Sequence, residues 1–347
     1  MKTVSLRELR AFIALVLEGV GLPAADASRV AELMSEADAR GADGHGVFRL
    51  PQYVKRIQAG GMNTRPNIRV LQEKPASALV DGDHAMGHLV MSRAAEIAIE
   101  KARIAGVAWV GARNSNHAGP AMLYARMPLA ADMIGVYIAV GSANHLPPWG
   151  GTEMLLSTNP IAIAVPGARH EAIVLDMATT NAAYGKVKIK AQRGEMMPEG
   201  WMMDRQGNPL TDPNRSSEGF LLPIGGPKGY GLALMFGLLA GTLTGAAFGK
   251  DVIDFNADFQ SPTNTGHAIL AINISAFADV PAFKQKVDGV WDLMKSSPLL
   301  PGVDEIRLPG ERSAQIYSER IEKGIPIPTE LQQGLDTLAQ QVGVPSL

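Results

Sequence analysis

The sequence contains no cysteine and has almost no net charge. Without cysteine the chain has no disulfides, no thiolate nucleophile and no thiolate metal ligand. Its 32 basic and 34 acidic side chains give a formal charge of −2, which provides no electrostatic footprint for nucleic acid or for an anionic membrane surface. The composition therefore favours a small molecule as the partner.

The N-terminal segment lacks the uninterrupted apolar run of a secretory signal. Residues 1–20 place Arg7, Glu8 and Arg10 within an apolar pattern, which is unlike a signal peptide. We therefore expect a cytoplasmic protein.

One long stretch, residues 229–249, carries no charge and is long enough to cross a bilayer. Gly237, Gly241 and Gly245 even form a small-residue stripe at helical spacing. However, six of these 21 residues are glycine, and the flanking segments lack an aromatic belt. We expect a helix buried in a domain core, with a membrane span as the alternative.

Helical patterns occupy both ends of the chain and strand patterns the middle. Apolar spacing predicts two helices within 5–40, a third over 49–59, another over 88–104 and a helical tail from 280 onward. The strands are predicted at 107–111, 133–140, 160–165, 172–176 and 268–275.

This order predicts an α+β fold with a large mixed or antiparallel sheet. We expect a helical domain from residues 1–73 and 278–347, and a sheet-containing domain from 74–277. No GxGxxG fingerprint follows a predicted strand, and no internal repeat is found. A nicotinamide cofactor would therefore bind without the Rossmann signature.

Two histidines stand in unusual contexts. His45 is flanked by Gly44 and Gly46 and is followed four residues later by Arg49. Glycines allow close backbone approach to a ligand, and an arginine fork suits a substrate carboxylate. The alternative is a helix that ends at Gly41, with a surface histidine and arginine beyond it.

The second histidine, His117, directly follows a predicted strand and precedes an apolar segment. Catalytic groups collect in such loops, and an imidazole can exchange a hydroxyl proton near neutral pH. The alternative is that the Asn-Ser-Asn cluster at 114–116 caps the following helix.

Two glycine-containing loops are candidates for binding phosphate. The loop 141–151 is rich in turn residues whose N–H groups can meet an anion. Lys228 begins a long apolar segment after Gly225 and Gly226, where an anion would offset the unfavourable placement of a lysine at a helix N-terminus. The alternative for Lys228 is a solvated lysine beside a tight turn.

Taken in order, these motifs resemble the malate/L-lactate dehydrogenase family, which includes ureidoglycolate and sulfolactate dehydrogenases and piperideine-2-carboxylate reductases. The resemblance covers nearly the whole chain. It is carried by HGVFR at 45–49, NSNHAG at 114–119, GG at 150–151, TNP at 158–160, DMATT at 176–180, KGYG at 228–231 and LPGE at 308–311.

The resemblance implies a non-Rossmann NAD(P) site, a homodimer and a cleft between the two domains. It implies that His117 accepts the proton of a 2-hydroxy acid, that Arg49 holds the substrate carboxylate, and that Thr158 lines the substrate site. The residues it assigns to the cofactor, NAD with NADP as the alternative, are Ser142, Asp176, Met177, Ala178, Lys228, Leu308, Pro309 and Gly310.

Gly44 departs from the family pattern, in which most members are expected to carry a serine before the histidine, and Lys186 departs from the imine-reducing members. Those members are expected to use a serine, a histidine and an aspartate as a relay, and the corresponding positions here are Gly44, His45 and Lys186. Only the histidine is retained, so we expect malate, lactate or a ureidoglycolate-like acid as substrate. We expect Lys186 to bind a second carboxylate of the substrate or the cofactor.

The alternatives are a cyclic imine or N-alkyl amino acid reductase and a non-catalytic metabolite-binding relative. A metal site is disfavoured because only His84 and His88 stand at i, i+4 spacing, and we assign both a structural role.

Overall fold

The computed structural model describes residues 2–347, apart from the side chain of residue 192. The helices are α1 Leu6–Gly19, α2 Ala24–Ala39, α3 Leu50–Gln58, α4 Gly87–Ala105, α5 Met122–Ala125, α6 Tyr184–Arg193, α7 Pro227–Ala240, α8 Val280–Lys295, α9 Glu311–Lys323 and α10 Thr329–Val342. The strands are β1 Lys2–Val4, β2 Arg69–Lys74, β3 Ser77–Asp81, β4 Val107–Ser115, β5 Met133–Ala139, β6 Ile161–Val165, β7 Ile173–Met177, β8 Met202–Asp204, β9 Pro209–Leu210, β10 Gly219–Leu221, β11 Thr265–Asn273 and β12 Ile325–Ile327.

A seven-stranded mixed sheet forms the centre, in the order β2-β3-β4-β11-β5-β6-β7. Strands β3 and β4 are parallel and are joined through α4, as a parallel connection requires. The other neighbours in this sheet are antiparallel. The predicted mixed α+β fold is confirmed, and the five predicted strands occur within a few residues of their expected bounds.

Alanine allows α4 to pack closely on the sheet. Ala94, Ala98 and Ala102 are fully buried on the helix and belong to one core cluster with Ala108 and Val110 of β4. Small side chains bring the helix axis close to the strands, and this buried cluster holds α4 against β4.

The two ends of the chain build a second core. β1 pairs with β12, and apolar side chains of α1, α2, α3 and α10 form one buried cluster. A capping box between Ser5 and Glu8 begins α1. The C-terminal helix α10 therefore packs on the N-terminal helices, as the sequence predicts.

The helix α8 lies away from this second core and packs on the turn between β6 and β7. Asp288 accepts the backbone N–H groups of Ala168, Arg169 and His170 at 2.8–3.2 Å. The strand β2 crosses position 73/74. The division into domains at 73/74 and 277/278 stays a prediction.

The expectation of a fully buried helix over 229–249 is wrong. The helix α7 spans Pro227–Ala240 and then gives way to turns. Its buried face carries Gly229, Ala233, Gly237 and Ala240, whereas Leu232, Met235 and Leu238 are exposed. Within residues 2–347, none of the helices combines the length and apolar character that crossing a bilayer requires.

A small separate unit, which we call the small lobe, covers residues 184–221. It contains α6 and the three-stranded sheet β10-β8-β9, and the sequence patterns did not predict it. Its own core consists of Val187, Met197, Met202, Leu210 and Leu221.

Candidate active site

The loop after β4 is held by buried side-chain amides. Asn116 donates from Nδ2 to the carbonyl oxygens of His84 and Ala85 at 2.9 and 3.0 Å, and its Oδ1 accepts the Thr263 hydroxyl at 2.7 Å. Asn114 donates to Asp81. The alternative that 114–116 caps a helix is therefore wrong: these groups hold the loop that carries His117.

The imidazole of His117 lies between two rings. The ring of His45 stacks on it with centroids 5.4 Å apart, and Phe255 stacks at 5.3 Å. The Tyr53 hydroxyl lies 2.6 Å from Nδ1, and the backbone nitrogen of Gly119 lies 3.3 Å from the same atom. No described residue bonds Nε2, so that nitrogen is free to meet a substrate.

Both stacked histidines are neutral at physiological pH. Burial, together with the proximity of His45 and Arg49, holds the pKa of His117 well below its usual range. Burial and Arg49 lower the pKa of His45 to about 4. A neutral His117 is prepared to accept a proton and not to donate one.

Arg49 lies beside these histidines in a short helical turn. Its Nε donates to the carbonyl oxygen of Gly44 at 3.0 Å, and its Nη1 donates to Oδ1 of Asn256 at 3.2 Å. These bonds hold one edge of the guanidinium, and no described residue bonds Nη2. The site therefore offers a half-buried cation with donor capacity left for an anion.

Gly41 ends the preceding helix, as the alternative for this segment proposed. Its φ is +80°, and its N–H bonds the carbonyl oxygen of Asp38 at 3.0 Å. However, His45 and Arg49 beyond it turn inward and are not surface residues. A Cβ at Gly46 would lie 2.2 Å from the Asp38 carboxyl, so only glycine fits this turn.

The segments assigned to the cofactor lie together beside the end of β7. The N–H of Val174 donates to the carbonyl oxygen of Pro309 at 3.0 Å, which brings Leu308, Pro309 and Gly310 against this strand. Asp176 accepts the N–H of Met122 at 3.1 Å. Its side chain is solvent-accessible, yet surrounding protein raises its pKa to about 6. The Asp176 carboxyl therefore lies in a recess, with Met177 and Ala178 following it.

Two further assigned segments join this recess. Thr179 donates to the carbonyl oxygen of Thr158 at 2.9 Å through both its N–H and its hydroxyl. The carbonyl oxygen of Thr179 accepts the N–H of Ile224 at 3.0 Å, in the loop that leads to Lys228. Lys228 is exposed in the first turn of α7.

Ser142 connects the recess to the histidines. Its carbonyl oxygen accepts the N–H of Phe255 at 2.9 Å, the residue that stacks on His117. Lys186 lies elsewhere, exposed on α6 of the small lobe. Except for Lys186, the assigned residues thus surround one connected region.

The two remaining candidate histidines lie apart from this chemistry. Nδ1 of His84 lies 3.0 Å from the carbonyl oxygen of Thr263, whereas His88 is fully buried against the edge of Tyr53. In the part of the chain that the structure describes, no group of three or more His, Asp or Glu side chains is arranged to hold a metal ion.

Three residues of this site, Tyr53, Phe255 and Asn256, were not predicted from the sequence. Tyr53 and Phe255 are 64 and 138 positions from His117, which they contact, and Asn256 is 207 positions from Arg49. None of the three lies in a recognisable motif. The fully buried Arg56 donates to the carbonyl oxygens of Asp258 and Ser261. It therefore holds the segment that carries Phe255 and Asn256.

A neutral imidazole beside a guanidinium with free donors can exchange a proton with a small acid and hold its carboxylate. Residues 4–336 match the family model of malate/L-lactate dehydrogenase. The chain is 39% identical to the malate dehydrogenase of Pyrococcus horikoshii, with 98% of this chain and 95% of that protein covered. It is 34% identical to the ureidoglycolate dehydrogenase (NAD(+)) of Escherichia coli K12, with 91% and 89% covered.

The structural comparison agrees. The sulfolactate dehydrogenase of Methanocaldococcus jannaschii superposes with a TM-score of 0.91 at 37% identity, covering 99% of this chain and 98% of that one. The chain belongs to the malate/L-lactate dehydrogenase family. The predictions of the family and of an oxidoreductase that transfers a hydride to or from small hydroxy acids are confirmed.

Proposed function

We propose that the chain oxidises a 2-hydroxy acid, and reduces the corresponding 2-oxo acid, with Arg49 binding the carboxylate and His117 exchanging the hydroxyl proton. The observation that carries this proposal is the neutral His117, which stacks on His45 and is hydrogen-bonded at Nδ1. Beside it, Arg49 is bonded through Nε and Nη1, and no described residue bonds its Nη2.

The proton has a defined destination. With Nδ1 hydrogen-bonded to Tyr53, Nε2 accepts the substrate hydroxyl proton while the C2–H bond breaks and the C2–O bond becomes a carbonyl. The imidazolium that forms keeps its Nδ1–H on the Tyr53 oxygen. Arg49 orients the carboxylate, so C2 and its hydroxyl are held in one position.

His45 acts as a positioning residue in this proposal. Its ring lies nearly parallel to that of His117, at an angle of 11°, and its low pKa keeps it neutral when His117 takes the proton. Gly44 supplies no hydroxyl and Lys186 no carboxylate for an imine-reducing relay, which favours hydroxy acids over cyclic imines.

The recess beside β7 fits a nicotinamide dinucleotide. It combines a carboxyl at Asp176, backbone groups of Met177, Ala178, Leu308, Pro309 and Gly310, and the loops of Ser142 and Lys228. A bound nicotinamide supplies or accepts the hydride at C2. We propose NAD, with NADP as the alternative; relatives are named for each, the ureidoglycolate dehydrogenase for NAD(+) and the (2R)-3-sulfolactate dehydrogenase of Chromohalobacter salexigens for NADP(+).

We also propose a cytoplasmic homodimer. The resemblance implies the dimer, and the exposed apolar face of α7 supports it: Leu232, Met235 and Leu238 are 37–52% exposed on a helix without charge after Lys228. Single apolar residues on a surface are common, but a contiguous stripe favours association. Sedimentation of the purified protein gives the oligomeric state.

The test of the reaction is a 340 nm assay of the purified protein with NADH and NADPH against pyruvate, oxaloacetate and piperideine-2-carboxylate. We expect oxidation of the reduced cofactor with a 2-oxo acid. We expect His117→Asn to lower kcat by about 10²–10⁴-fold, the usual range for an acid–base group.

His170→Asn is the control and should retain activity, because His170 lies in the turn between β6 and β7, where its Nε2 lies 2.8 Å from Asp292. Activity on the imine alone would contradict the assignment of Gly44 and Lys186. Full activity of His117→Asn would contradict the proposed proton transfer.

A further inference from the structure

A cavity of about 250 Å³ lies between the small lobe and the segment 254–257. Its polar lining includes Asn144, Lys188, Ser216, Ser217, Asp254 and Asn256. A volume of this size holds several water molecules. The methyl group of a lactate-like substrate would leave most of it unfilled.

The cavity adjoins the catalytic residues through one short segment. Phe255 stacks on His117, and its neighbour Asn256 accepts a hydrogen bond from Arg49 at 3.2 Å. Asp254 and Asn256, on either side of Phe255, line the cavity. A substrate whose carboxylate is held by Arg49 therefore has its C3 substituent within reach of this space.

The walls are built from packed side chains. His145 stacks on Tyr184 with centroids 4.2 Å apart, and the Tyr184 hydroxyl lies 3.4 Å from Oγ of Ser216. Burial lowers the pKa of His145 to about 4, so His145 adds no positive charge. The ionised groups that line the cavity are Lys188 and Asp254.

These two charges balance each other. Among the described residues, Lys188 forms no ion pair within 4 Å, so its ammonium stays available across the cavity from Asp254. A second carboxylate on the substrate would be attracted by one and repelled by the other. An uncharged polar group can bond to both without this repulsion.

We propose that this cavity binds the C3 substituent of the substrate and selects an uncharged substituent with N–H or O–H donors, such as a carboxamide, a carbamoyl group or a hydroxyl. Asp254 accepts from it, and Lys188 donates to it. The proposal rests on the proposed function, since it takes Arg49 as the site of the 2-hydroxy carboxylate.

The experiment compares three acids that differ only in the substituent: lactate, malate and 2-hydroxysuccinamate, the carboxamide analogue of malate. We expect kcat/KM for the amide to exceed that for malate and for lactate by about tenfold or more, because a site built to bond an N–H group rejects analogues without it.

Two variants locate the preference. Asp254→Asn keeps the acceptor that bonds the N–H of Asn256 but makes the cavity positive, so the ratio of amide to malate should fall about tenfold. Lys188→Met makes it negative and should lower kcat/KM for malate more than for the amide. Lys190→Met is the control, because Lys190 on the same helix pairs with Glu195 at 2.6 Å.

A preference for malate that Lys188→Met abolishes would overturn the proposal in favour of an anion site. A substrate ratio that neither variant changes would overturn it as well. If no acid is oxidised, calorimetric titration of the three acids into the protein with NAD⁺ tests the selectivity of the cavity independently of the reaction. Amide-selective binding that Asp254→Asn removes would support the cavity and refute the reaction, whereas equal or absent binding would overturn the proposal for the cavity.

Discussion

The proposed catalytic centre and the cavity beside it are built in different ways. His117, His45 and Tyr53 lie where β4 and the N-terminal helices meet, held by buried amides and close-packed rings. The cavity is walled by the small lobe, whose strands have two or three residues and whose core is separate. Lys188 and Asp254 there are exposed.

The difference separates two tasks. Burial keeps the histidines neutral and in one orientation, which proton transfer requires. The cavity needs only shape and a few polar groups. Changes in the small lobe should therefore alter the choice of substrate, whereas changes around His117 should alter the rate with every substrate.

The largest expected effect tests this division at Arg49, which lies next to both regions. Arg49→Met removes hydrogen bonds to a substrate carboxylate worth about 1.5–3 kcal/mol each, so kcat/KM should fall by about 10²–10³-fold. The fall should be similar for lactate, malate and the amide, since all three carry the same C1 carboxylate. Steady-state kinetics measures it.

Arg93→Met is the matched control for Arg49. Arg93 forms an exposed ion pair with Glu96 at 3.2 Å, so its loss should change neither kcat/KM nor the melting temperature by much. A loss in Arg49→Met that is confined to malate would place Arg49 at the substituent and not at the common carboxylate.

A smaller effect tests the orientation of His117. Tyr53→Phe removes the hydroxyl that bonds Nδ1, and we expect kcat to fall about tenfold, which corresponds to the loss of one hydrogen bond to a charged imidazolium. The KM should change little because Tyr53 is fully buried. Kinetics with each of the three acids measures both constants.

The pH profile distinguishes orientation from general destabilisation. Oxidation needs neutral His117, and burial lowers its pKa, so kcat/KM should be flat near pH 7 and fall only below about pH 6.5. Tyr53→Phe removes a bond that stabilises the imidazolium, so the acid limb should move to lower pH. An unchanged limb with a reduced melting temperature would reduce Tyr53 to a packing residue.

The same contrast explains what the sequence could predict. His45, Arg49 and His117 stand in short motifs with glycine or asparagine neighbours, and the long apolar strands of the sheet have clear periodicity. The strands β8, β9 and β10 are too short to show any period. Only the fold brings Phe255 to His117 and Asn256 to Arg49, because the buried guanidinium of Arg56 holds their segment. Glycine content led to the wrong expectation for α7: its glycines line one buried face, while leucine and methionine remain outside.

The smallest expected effect concerns Lys186, which the sequence predicts to bind a second carboxylate or the cofactor. Lys186 is exposed on α6, and the cavity is lined instead by Lys188, two positions further along the same helix. Since an exposed charge contributes at most about 1 kcal/mol, Lys186→Met should change the ratio of KM for malate to KM for lactate by less than about fivefold. A tenfold rise in KM for malate alone would instead support the prediction from the sequence, and would show that α6 presents a different face to the substrate when the site is filled.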